Sequence, residues 1–355
     1  MAPRRVRQRD RAHRPAGSRA DARHAGRGHA SAAPPRQRHL PAGDLRLPRA
    51  IGDRSGVART AGTRHPLVGA HVSAAGGYEH AVDRALAIGA EALQVWVDQP
   101  RRFPRTPLDE PALRRLRRAL ARERLPAFVH VPYLVNLASI VPEHLERSID
   151  MVARGLRAAR IAGLSGAVLH VGSHQGRGYE AMRAQVLDAL REAARRSRVR
   201  DRLVLENSVG AGGQIGADLS ELRDLLDALA ARGIASRVAI DLAHAHANGS
   251  DLSRAAGVTA FAVRLREAQL AARVAVVHAN DSATPCGSRR DRHANPGEGR
   301  IGAHGLRLLA RVPELARVPW ILEVPGVERS GPTAREITRL RRIVGRESAT
   351  PRRAR

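Results

Sequence analysis

The sequence contains no lysine: all 61 basic residues among its 355 are arginine. Enzymes that form a Schiff base with a carbonyl substrate need an amine, usually that of a lysine side chain. Here only the α-amino group could serve, and it lies at the end of a segment without predicted structure. Imine chemistry is therefore excluded at every side chain of this protein.

The formal net charge is +27, a balance typical of proteins that bind polyanions. The complete use of arginine in place of lysine, however, indicates a compositional bias of the genome rather than selection at a binding surface. Residues 1–66 alone hold 16 arginines against four aspartates. The remainder is still basic enough to suit a polyanionic substrate, so the charge supports a nucleic-acid partner without establishing one.

Cysteine, aromatic residues and long apolar runs are also scarce. Cys286 is the single cysteine, which excludes an intrachain disulfide and favours a reducing compartment. Aromatic residues make up 2% of the chain, so its core must consist of Val, Ile, Leu and Ala. No stretch reaches the roughly 18 apolar residues of a membrane span, and no signal-peptide core is present. We expect a soluble, intracellular protein without a membrane partner.

Residues 1–66 are rich in Arg, Ala, Pro, Gly and His and show no apolar periodicity. Such a segment cannot bury enough apolar surface to offset the entropy lost on ordering, so we expect a disordered basic extension. It could add non-specific affinity for DNA or serve as an Arg-rich transit peptide. The interpretation we favour is translated upstream sequence, with the true start near Leu67 or Val68. Residues 347–355 form a second, short basic tail.

Residues 67–346 alternate between short apolar runs and helical patterns. A strand and a helix repeated about eight times predict a parallel sheet, here an α/β fold of the TIM (β/α)₈ barrel type. The eight runs are LVGAH, ALQVWV, AFVHV, AVLHV, RLVLEN, RVAIDL, VAVVHAN and ILEV.

Seven of the eight runs end in a residue that can hold a metal ion or transfer a proton. Only the second run, ending near Gln94 to Asp98, lacks such a group. In a parallel barrel all carboxyl ends of the strands open on one face, where active sites are built. The seven residues are His71, His130, His170, Glu206, Asp241, His278 and Glu323.

Nine potential ligands would then meet in one cavity. Each alone has an ordinary explanation, such as a hydrogen-bonded core histidine or a helix cap. Together, five imidazoles and four carboxylates would be costly to bury unless cations balanced them. Because no thiolate is among them, zinc suits the set, with manganese as the alternative, and nine ligands suit two or three ions. The nine are His130, His170, Glu206, Asp241, His244, His278, Asp291, His293 and Glu323.

Several longer stretches resemble the endonuclease IV family, the metal-dependent endonucleases that act at apurinic/apyrimidinic (AP) sites in base-excision repair. They occur in the order of the family and together span roughly residues 67–343. The stretches are GAHVSAAGG (69–77), HVPYLVNLAS (130–139), LHVGSHQGRG (169–178), LENSVGAGGQIG (205–216), IDLAHAHANGSDL (240–252), HANDSATPCGSRRDRHANPGEGRIG (278–302) and ILEVPG (321–326).

The resemblance implies a xylose-isomerase-like barrel with three zinc ions at its mouth, and manganese is possible at the third site. It also implies that Glu206 and Glu323 are catalytic. The implied ligand sets are His130, His170 and Glu206 for the first ion, Glu206, Asp241, His278 and Glu323 for the second, and His244, Asp291 and His293 for the third.

The resemblance further implies that three side chains enter the DNA duplex at the abasic site. Tyr133 and Leu134 match two of these positions and Arg101, in QPRRF, matches the third. The alternative for Tyr133 and Leu134 is ordinary packing within a loop.

The chain also departs from the family pattern. The acidic Asp98 stands at a position that is usually basic, which puts local contacts with the DNA backbone in doubt. Leu242 and Ala243 replace Thr-Cys, Val324 replaces threonine, and Ala283 stands where lysine is common. None of these changes removes a ligand, but they could alter substrate preference.

The expected function is zinc-dependent hydrolysis of the phosphodiester 5′ of an abasic site in double-stranded DNA, with removal of 3′-blocking groups as a further activity. We expect a monomer. One alternative is a xylose-isomerase-like sugar isomerase or epimerase, which needs two metal ions at most and has no need of Asp291 or His293. Another is a non-catalytic DNA-binding relative.

Overall fold

The protein was analysed as a computed structural model, which describes residues 65–104, 106–326 and 330–345. Nearly all of the predicted 1–66 extension and the whole 347–355 tail lie outside these residues. The strands are β1 (Val68–His71), β2 (Leu93–Trp96), β3 (Ala127–His130), β4 (Gly166–Leu169), β5 (Leu203–Glu206), β6 (Ser236–Asp241), β7 (Val274–His278), β8 (Asp281–Ser282), β9 (His293–Ala294) and β10 (Trp320–Leu322).

Helices follow the strands in alternation. They are α1 (Glu79–Ala87), α2 (Glu110–Glu123), α3 (Pro142–Ala162), α4 (Tyr179–Ser197), α5 (Leu219–Ala230), α6 (Leu242–Ala247), α7 (Ala255–Glu267), α8 (Gly302–Leu309), α9 (Pro313–Ala316) and α10 (Ala334–Ile343). The elements of the predicted 67–346 domain thus run from Val68 to Ile343, while its boundaries stay a prediction. Among the described residues no helix is long and apolar enough to cross a bilayer.

Eight of the strands form a closed parallel barrel, which confirms the predicted fold class. The order around the barrel is β1-β10-β7-β6-β5-β4-β3-β2, and β1 pairs with both β2 and β10. The last strand therefore closes the barrel against the first. The two remaining strands, β8 and β9, form a small antiparallel hairpin after β7. Since every barrel strand points the same way, all strand carboxyl ends lie at one mouth.

One apolar layer fills the inside of the barrel. Successive residues of a strand face opposite sides, so every second residue points inward. The inward residues of the strands form a separate cluster of buried side chains around Phe128, which is fully buried. β1 contributes Gly69, where a Cβ atom would collide with the main chain of Ala92. The other members of this layer are Ala92, Val168, Val204, Ala239, Ala275, Val276 and Ile321.

The longer helices cover the outside of the barrel with one apolar face each, and local signals fix where they begin and end. Asp109 caps α2 by accepting a hydrogen bond from the Ala112 amide at 2.9 Å. α3 starts at Pro142 and ends at Gly163, whose φ of 67° is left-handed and suits glycine. The starts of α2 and α3 follow the loops at the barrel mouth, whereas Gly163 lies in the turn that leads back to the start of β4.

Candidate metal centre

Six of the nine predicted ligands form the next inward-facing layer above the apolar one, and the other three lie on α6 and in the β8–β9 hairpin. His130, for example, comes two residues after Phe128 on β3, and Glu206 two residues after Val204 on β5. The same two-residue step leads from the apolar layer to His170, Asp241, His278 and Glu323. Alternation along the strands therefore converts residues that are far apart in sequence into neighbours at the mouth.

Glu206 is the centre of this polar layer and is fully buried. Its Oε2 atom lies 3.1 Å from Nε2 of His130 and 3.4 Å from Nε2 of His170. Its Oε1 atom lies 2.7 Å from Nδ1 of His278, which is also 3.1 Å from Oε2 of Glu323. One carboxylate thus faces two sets of partners, one through each oxygen.

The donor atoms fall into three groups whose spacing fits divalent metal ions. Within each group the donor atoms lie within 4.8 Å of one another. Around a tetrahedral zinc with bonds of about 2.0–2.2 Å, ligand atoms are roughly 3.3–3.6 Å apart, close to most of the distances found here. The groups are His130, His170 and Glu206; Glu206, Asp241, His278 and Glu323; and Asp241, His244 and His293.

Hydrogen bonds fix the orientation of three of the imidazoles so that one nitrogen of each faces the carboxylates. A carbonyl oxygen can only accept, so a ring nitrogen bonded to it must carry the hydrogen and the other nitrogen is free to bind a metal. In three imidazoles Nδ1 donates to a main-chain carbonyl: His130 to Val131 at 2.7 Å, His244 to Asn207 at 2.9 Å, and His293 to Glu323 at 3.0 Å.

The third group differs in composition from the set that the resemblance implies. Asp291 lies close to both predicted partners, with Oδ2 3.4 Å from His244 Nε2 and Oδ1 3.1 Å from His293 Nε2. Asp241 also approaches His293 Nε2, at 3.6 Å. That buried nitrogen makes no hydrogen bond, which fits a position that a cation would occupy. The structure therefore brings both carboxylates to this pair of imidazoles.

The hairpin carrying Asp291 and His293 is held at the mouth by a buried carboxylate that the sequence analysis did not identify. Asp281, on β8, is fully buried and accepts hydrogen bonds from the amides of Gly297 at 2.9 Å and Ile301 at 2.9 Å. Amide groups pointing at one carboxylate from a single loop fix the path of that loop. The acid within the stretch HANDS was the available signal.

Gln94 is a second residue that the sequence analysis missed. The second strand carries no acid or imidazole, as expected, but Gln94 is fully buried within the polar layer. Its side-chain amide donates to Glu323 Oε1 at 2.6 Å and its carbonyl accepts from His278 Nε2 at 3.1 Å. This bond leaves His278 Nδ1 free to face Glu206. A glutamine inside the apolar run ALQVWV was the signal in the sequence.

Two asparagines complete the polar layer: Asn207 directly follows β5, and Asn280 lies two residues after the end of β7. Asn280 donates to Asp241 Oδ2 at 2.6 Å and accepts from the amide of Glu323 at 2.8 Å. Asn207 accepts from the amide of Asp241 at 2.7 Å. They tie neighbouring strand ends together and orient the carboxylates, so the expected ligands are themselves held in place.

The imidazoles and carboxylates of the cluster shift one another's pKa values. Burial disfavours the protonated forms of His278 and His293, but the neighbouring carboxylates, chiefly Glu323 and Asp241 respectively, outweigh burial and raise both pKa values to about 9. Burial acts against ionisation of Glu206 too, yet the surrounding imidazoles hold its pKa well below the usual range. Without metal ions, protons on imidazoles must balance the carboxylates.

The comparisons with known proteins agree with this architecture. A family model described as a xylose isomerase-like TIM barrel matches residues 82–343. A protein of Methanoculleus marisnigri named probable endonuclease 4 is 36% identical over 283 residues, which cover 79% of this chain and 99% of that protein. The chain belongs to the endonuclease IV family.

Solved structures extend the likeness. The crystal structure of endonuclease IV from Thermus thermophilus has a TM-score of 0.68 at 34% identity and covers 79% of this chain and 99% of its own. A 3-keto-D-glucoside 4-epimerase from E. coli has a TM-score of 0.56 at 15% identity, covering 78% of this chain and 99% of its own. The second likeness concerns the fold alone.

The three residues expected to contact DNA in this family lie around the rim of the mouth. Tyr133 is 53% exposed, and its ring centroid lies 5.4 Å from that of His130 and 5.0 Å from that of Trp96. Arg101 is exposed on the β2–α2 loop, and Leu134 is half-buried on the β3–α3 loop. Arg101 and Leu134 line the same cavity. Insertion of these side chains into DNA stays a prediction, and the ring contacts of Tyr133 with Trp96 and His130 also fit ordinary packing within the loop.

Proposed function

We propose that this protein hydrolyses the phosphodiester 5′ of abasic sites in double-stranded DNA, leaving a 3′-hydroxyl and a 5′-deoxyribose phosphate. Removal of 3′-blocking groups would follow from the same chemistry. The observation that carries the proposal is the polar layer itself: fixed imidazoles and carboxylates in three adjoining groups at one barrel mouth. Membership of the endonuclease IV family supplies the substrate.

We assign each group to one divalent cation, zinc by preference, with manganese possible at the third. Bound there, the cations would supply Lewis-acid activation of water and neutralise charge on the phosphate. The residues proposed to hold them are His130, His170 and Glu206, then Glu206, Asp241, His278 and Glu323, and then His244, Asp291 and His293, with Asp241 facing the last group as well.

Two carboxylates take the catalytic roles. Glu206 faces separate partners through its two oxygens, which suits a bridge between the first two groups. Glu323 accepts a hydrogen bond from Gln94 and lies 3.2 Å from His71 Nδ1. A carboxylate held in this way can orient an attacking water. Because lysine is absent, strand cleavage by β-elimination through a side-chain imine is not open to this chain.

Recognition would rest on the missing base. Extruding a nucleotide without a base costs less than extruding a normal one, since there is no base to unstack from its neighbours. We assign Tyr133, Leu134 and Arg101 to the rim contacts that enter the duplex at this point. Partners beyond the DNA are not required, and the proposal includes action as a monomer in the bacterial cytosol.

The sugar isomerase alternative shares the fold but not the third group. It requires two cations at most, so it leaves the approach of Asp291 to His244 and His293 without a purpose. A DNA-binding relative without catalysis would need none of the three groups. The completeness of the polar layer therefore favours hydrolysis over both.

The test is cleavage of a short labelled duplex with a tetrahydrofuran abasic analogue by the zinc-loaded protein, with an undamaged duplex as the control. We expect incision at the analogue only, and extension of the product by a DNA polymerase, which requires a 3′-hydroxyl. Elemental analysis should give close to three zinc ions per chain. Binding without incision would favour the non-catalytic alternative, and one or two ions with turnover of a ketose would favour the isomerase.

A further inference from the structure

Asp98 stands on the β2–α2 loop, where a carboxylate would be expected to repel DNA phosphates. Its side chain is only 8% exposed, however, and it accepts two hydrogen bonds from the guanidinium of Arg154. Arg154 Nε lies 3.0 Å from Oδ2 and Nη2 lies 2.8 Å from Oδ1. A two-point pair of this kind fixes direction as well as distance, and the guanidinium neutralises the acid.

The pair ties the start of the β2–α2 loop to the middle of α3. A second hydrogen bond holds the preceding residue, because the Tyr78 hydroxyl donates to the carbonyl of Val97 at 2.8 Å. The chain is therefore held just before the loop turns outward toward Arg101. Because the side chain of Arg101 is itself exposed, its position depends on how the loop is anchored.

The other proposed rim loop is held by the same helix. Phe103 packs edge-on against His144, near the start of α3, with ring centroids 5.6 Å apart. His144 Nε2 in turn donates to the carbonyl of Leu134 at 2.8 Å. Both loops are thus fastened to α3. Arg101 and Leu134 line one cavity of about 1270 Å³, together with other residues of the β2–α2 loop, of α3 and of the end of α4.

We propose that Asp98 and Arg154 are positioning residues for DNA binding, which set the spacing between Arg101 and the Tyr133–Leu134 segment. This inference rests on the proposed function. In place of a basic residue that contacts the DNA directly, this chain has an ion pair that fixes the loop. Asp98 thus contributes to the affinity for DNA without touching it. Because neither residue contacts the polar layer, the chemical step should be insensitive to the pair.

The decisive variant is Asp98→Asn, which keeps the shape of the side chain and removes its charge. We expect KM for the abasic duplex to rise about tenfold while kcat changes by less than about twofold, since the loop would lose its anchor but not the catalytic groups. The double variant Asp98→Arg with Arg154→Asp should recover most of the lost affinity by restoring the pair in reverse.

The matched control is Glu110→Gln, because Glu110 also pairs with an arginine of α3, Arg157, at 2.6 Å, but at the start of α2 rather than in the loop. It should leave KM unchanged. An unchanged KM in Asp98→Asn, an equal rise in Glu110→Gln, or a fall in kcat alone would overturn the inference.

Binding must be measured separately from cleavage. Fluorescence anisotropy with a labelled, hydrolysis-resistant abasic duplex gives Kd for the wild-type protein and each variant. If the wild-type protein binds this duplex but cuts no abasic substrate, the proposed function fails while the comparison of Kd values still tests the pair. If Asp98→Asn lowers the thermal midpoint without changing Kd, the role of the pair is structural and the inference is wrong.

Discussion

Two adjacent layers of side chains fill the barrel, and they differ in chemistry although the same strands supply both. The lower layer, around Phe128, is apolar, and the upper layer, around Glu206, consists of imidazoles, carboxylates and amides. Along each strand the two layers are only two positions apart, as with Phe128 and His130. The lower layer can be stable on its own, because apolar burial is favourable. The upper layer is costly to bury and must be offset by hydrogen bonds and cations.

Successive inward-facing positions of one strand therefore have different roles: the first stabilises the barrel, and the second belongs to the candidate metal centre. The apolar layer fills the barrel below Glu206. Water and substrate must therefore approach Glu206 from the mouth, where Tyr133 lies. A substitution in the lower layer should therefore mainly lower the free energy of unfolding. A substitution in the upper layer should mainly reduce cation binding and kcat.

The strongest test of this division is Glu206→Gln in the upper layer. Loss of the carboxylate that faces both neighbouring groups should lower kcat on an abasic duplex by on the order of a thousandfold or more and reduce the bound zinc. Steady-state cleavage and elemental analysis measure the two effects. The control is Glu314→Gln on the outer surface, where the acid pairs with Arg266 at 2.6 Å. Full turnover in Glu206→Gln would end its bridging role.

Phe128→Ala makes the corresponding change in the lower layer. Truncating this fully buried ring should lower the free energy of unfolding by about 3–5 kcal/mol, through lost apolar contacts and the cavity left behind. Urea unfolding of the zinc-loaded protein gives the value, and the folded fraction should keep its zinc. A variant that sheds zinc without loss of stability would show that the layers are not separate.

Gln94→Leu removes a support of the upper layer without removing a proposed ligand. His278 Nε2 would lose its acceptor and Glu323 a donor, so we expect zinc affinity to fall by about 10–100-fold. Competition with a chromogenic chelator measures the change. Gln269→Leu, at an exposed position after α7, serves as the control. Equal affinities in the two variants would mean that Gln94 only fills space.

The smallest expected effect is the pH dependence of the metal-free protein. His278 and His293 have folded pKa values of about 9, above their ordinary value of 6.5, so they stabilise the fold fully below pH 6.5 and lose this effect as the pH rises through 9. Denaturant unfolding in a chelator should thus show stability that falls as the pH rises through this range. Zinc-loaded protein, in which cations replace the protons, should show no such fall. A flat profile without metal would contradict the charge balance described above.

Much of this molecule could be predicted from its sequence, for identifiable reasons. Apolar runs alternating with helical patterns predicted a parallel sheet, and the acids and imidazoles at the ends of the runs indicated that the sheet closes into a barrel. The structure confirms the closed barrel. Because strand carboxyl ends in such a barrel must meet, His130, Glu206 and Glu323 were predicted to be neighbours. Family membership, inferred from the order of the motifs, is also confirmed by the comparisons.

What could not be predicted are the contacts between loops and the neutral polar groups. Gln94 and Asn280 carry no charge, so a search for metal or acid–base residues passes over them. Asp98 could be recognised as unusual, but its partner Arg154 lies 56 residues away on α3, and no local pattern connects the two. The approach of Asp241 to the third group likewise depends on tertiary geometry.

Closure of the barrel by its last strand has a consequence for the newly made chain. Glu323 lies 252 residues after His71 and reaches it only once β10 has paired with β1. During synthesis on the ribosome, the mouth thus stays incomplete until nearly the whole barrel has emerged. Full loading with cations would be a late event of biogenesis, and a prematurely terminated chain could not gain a working centre.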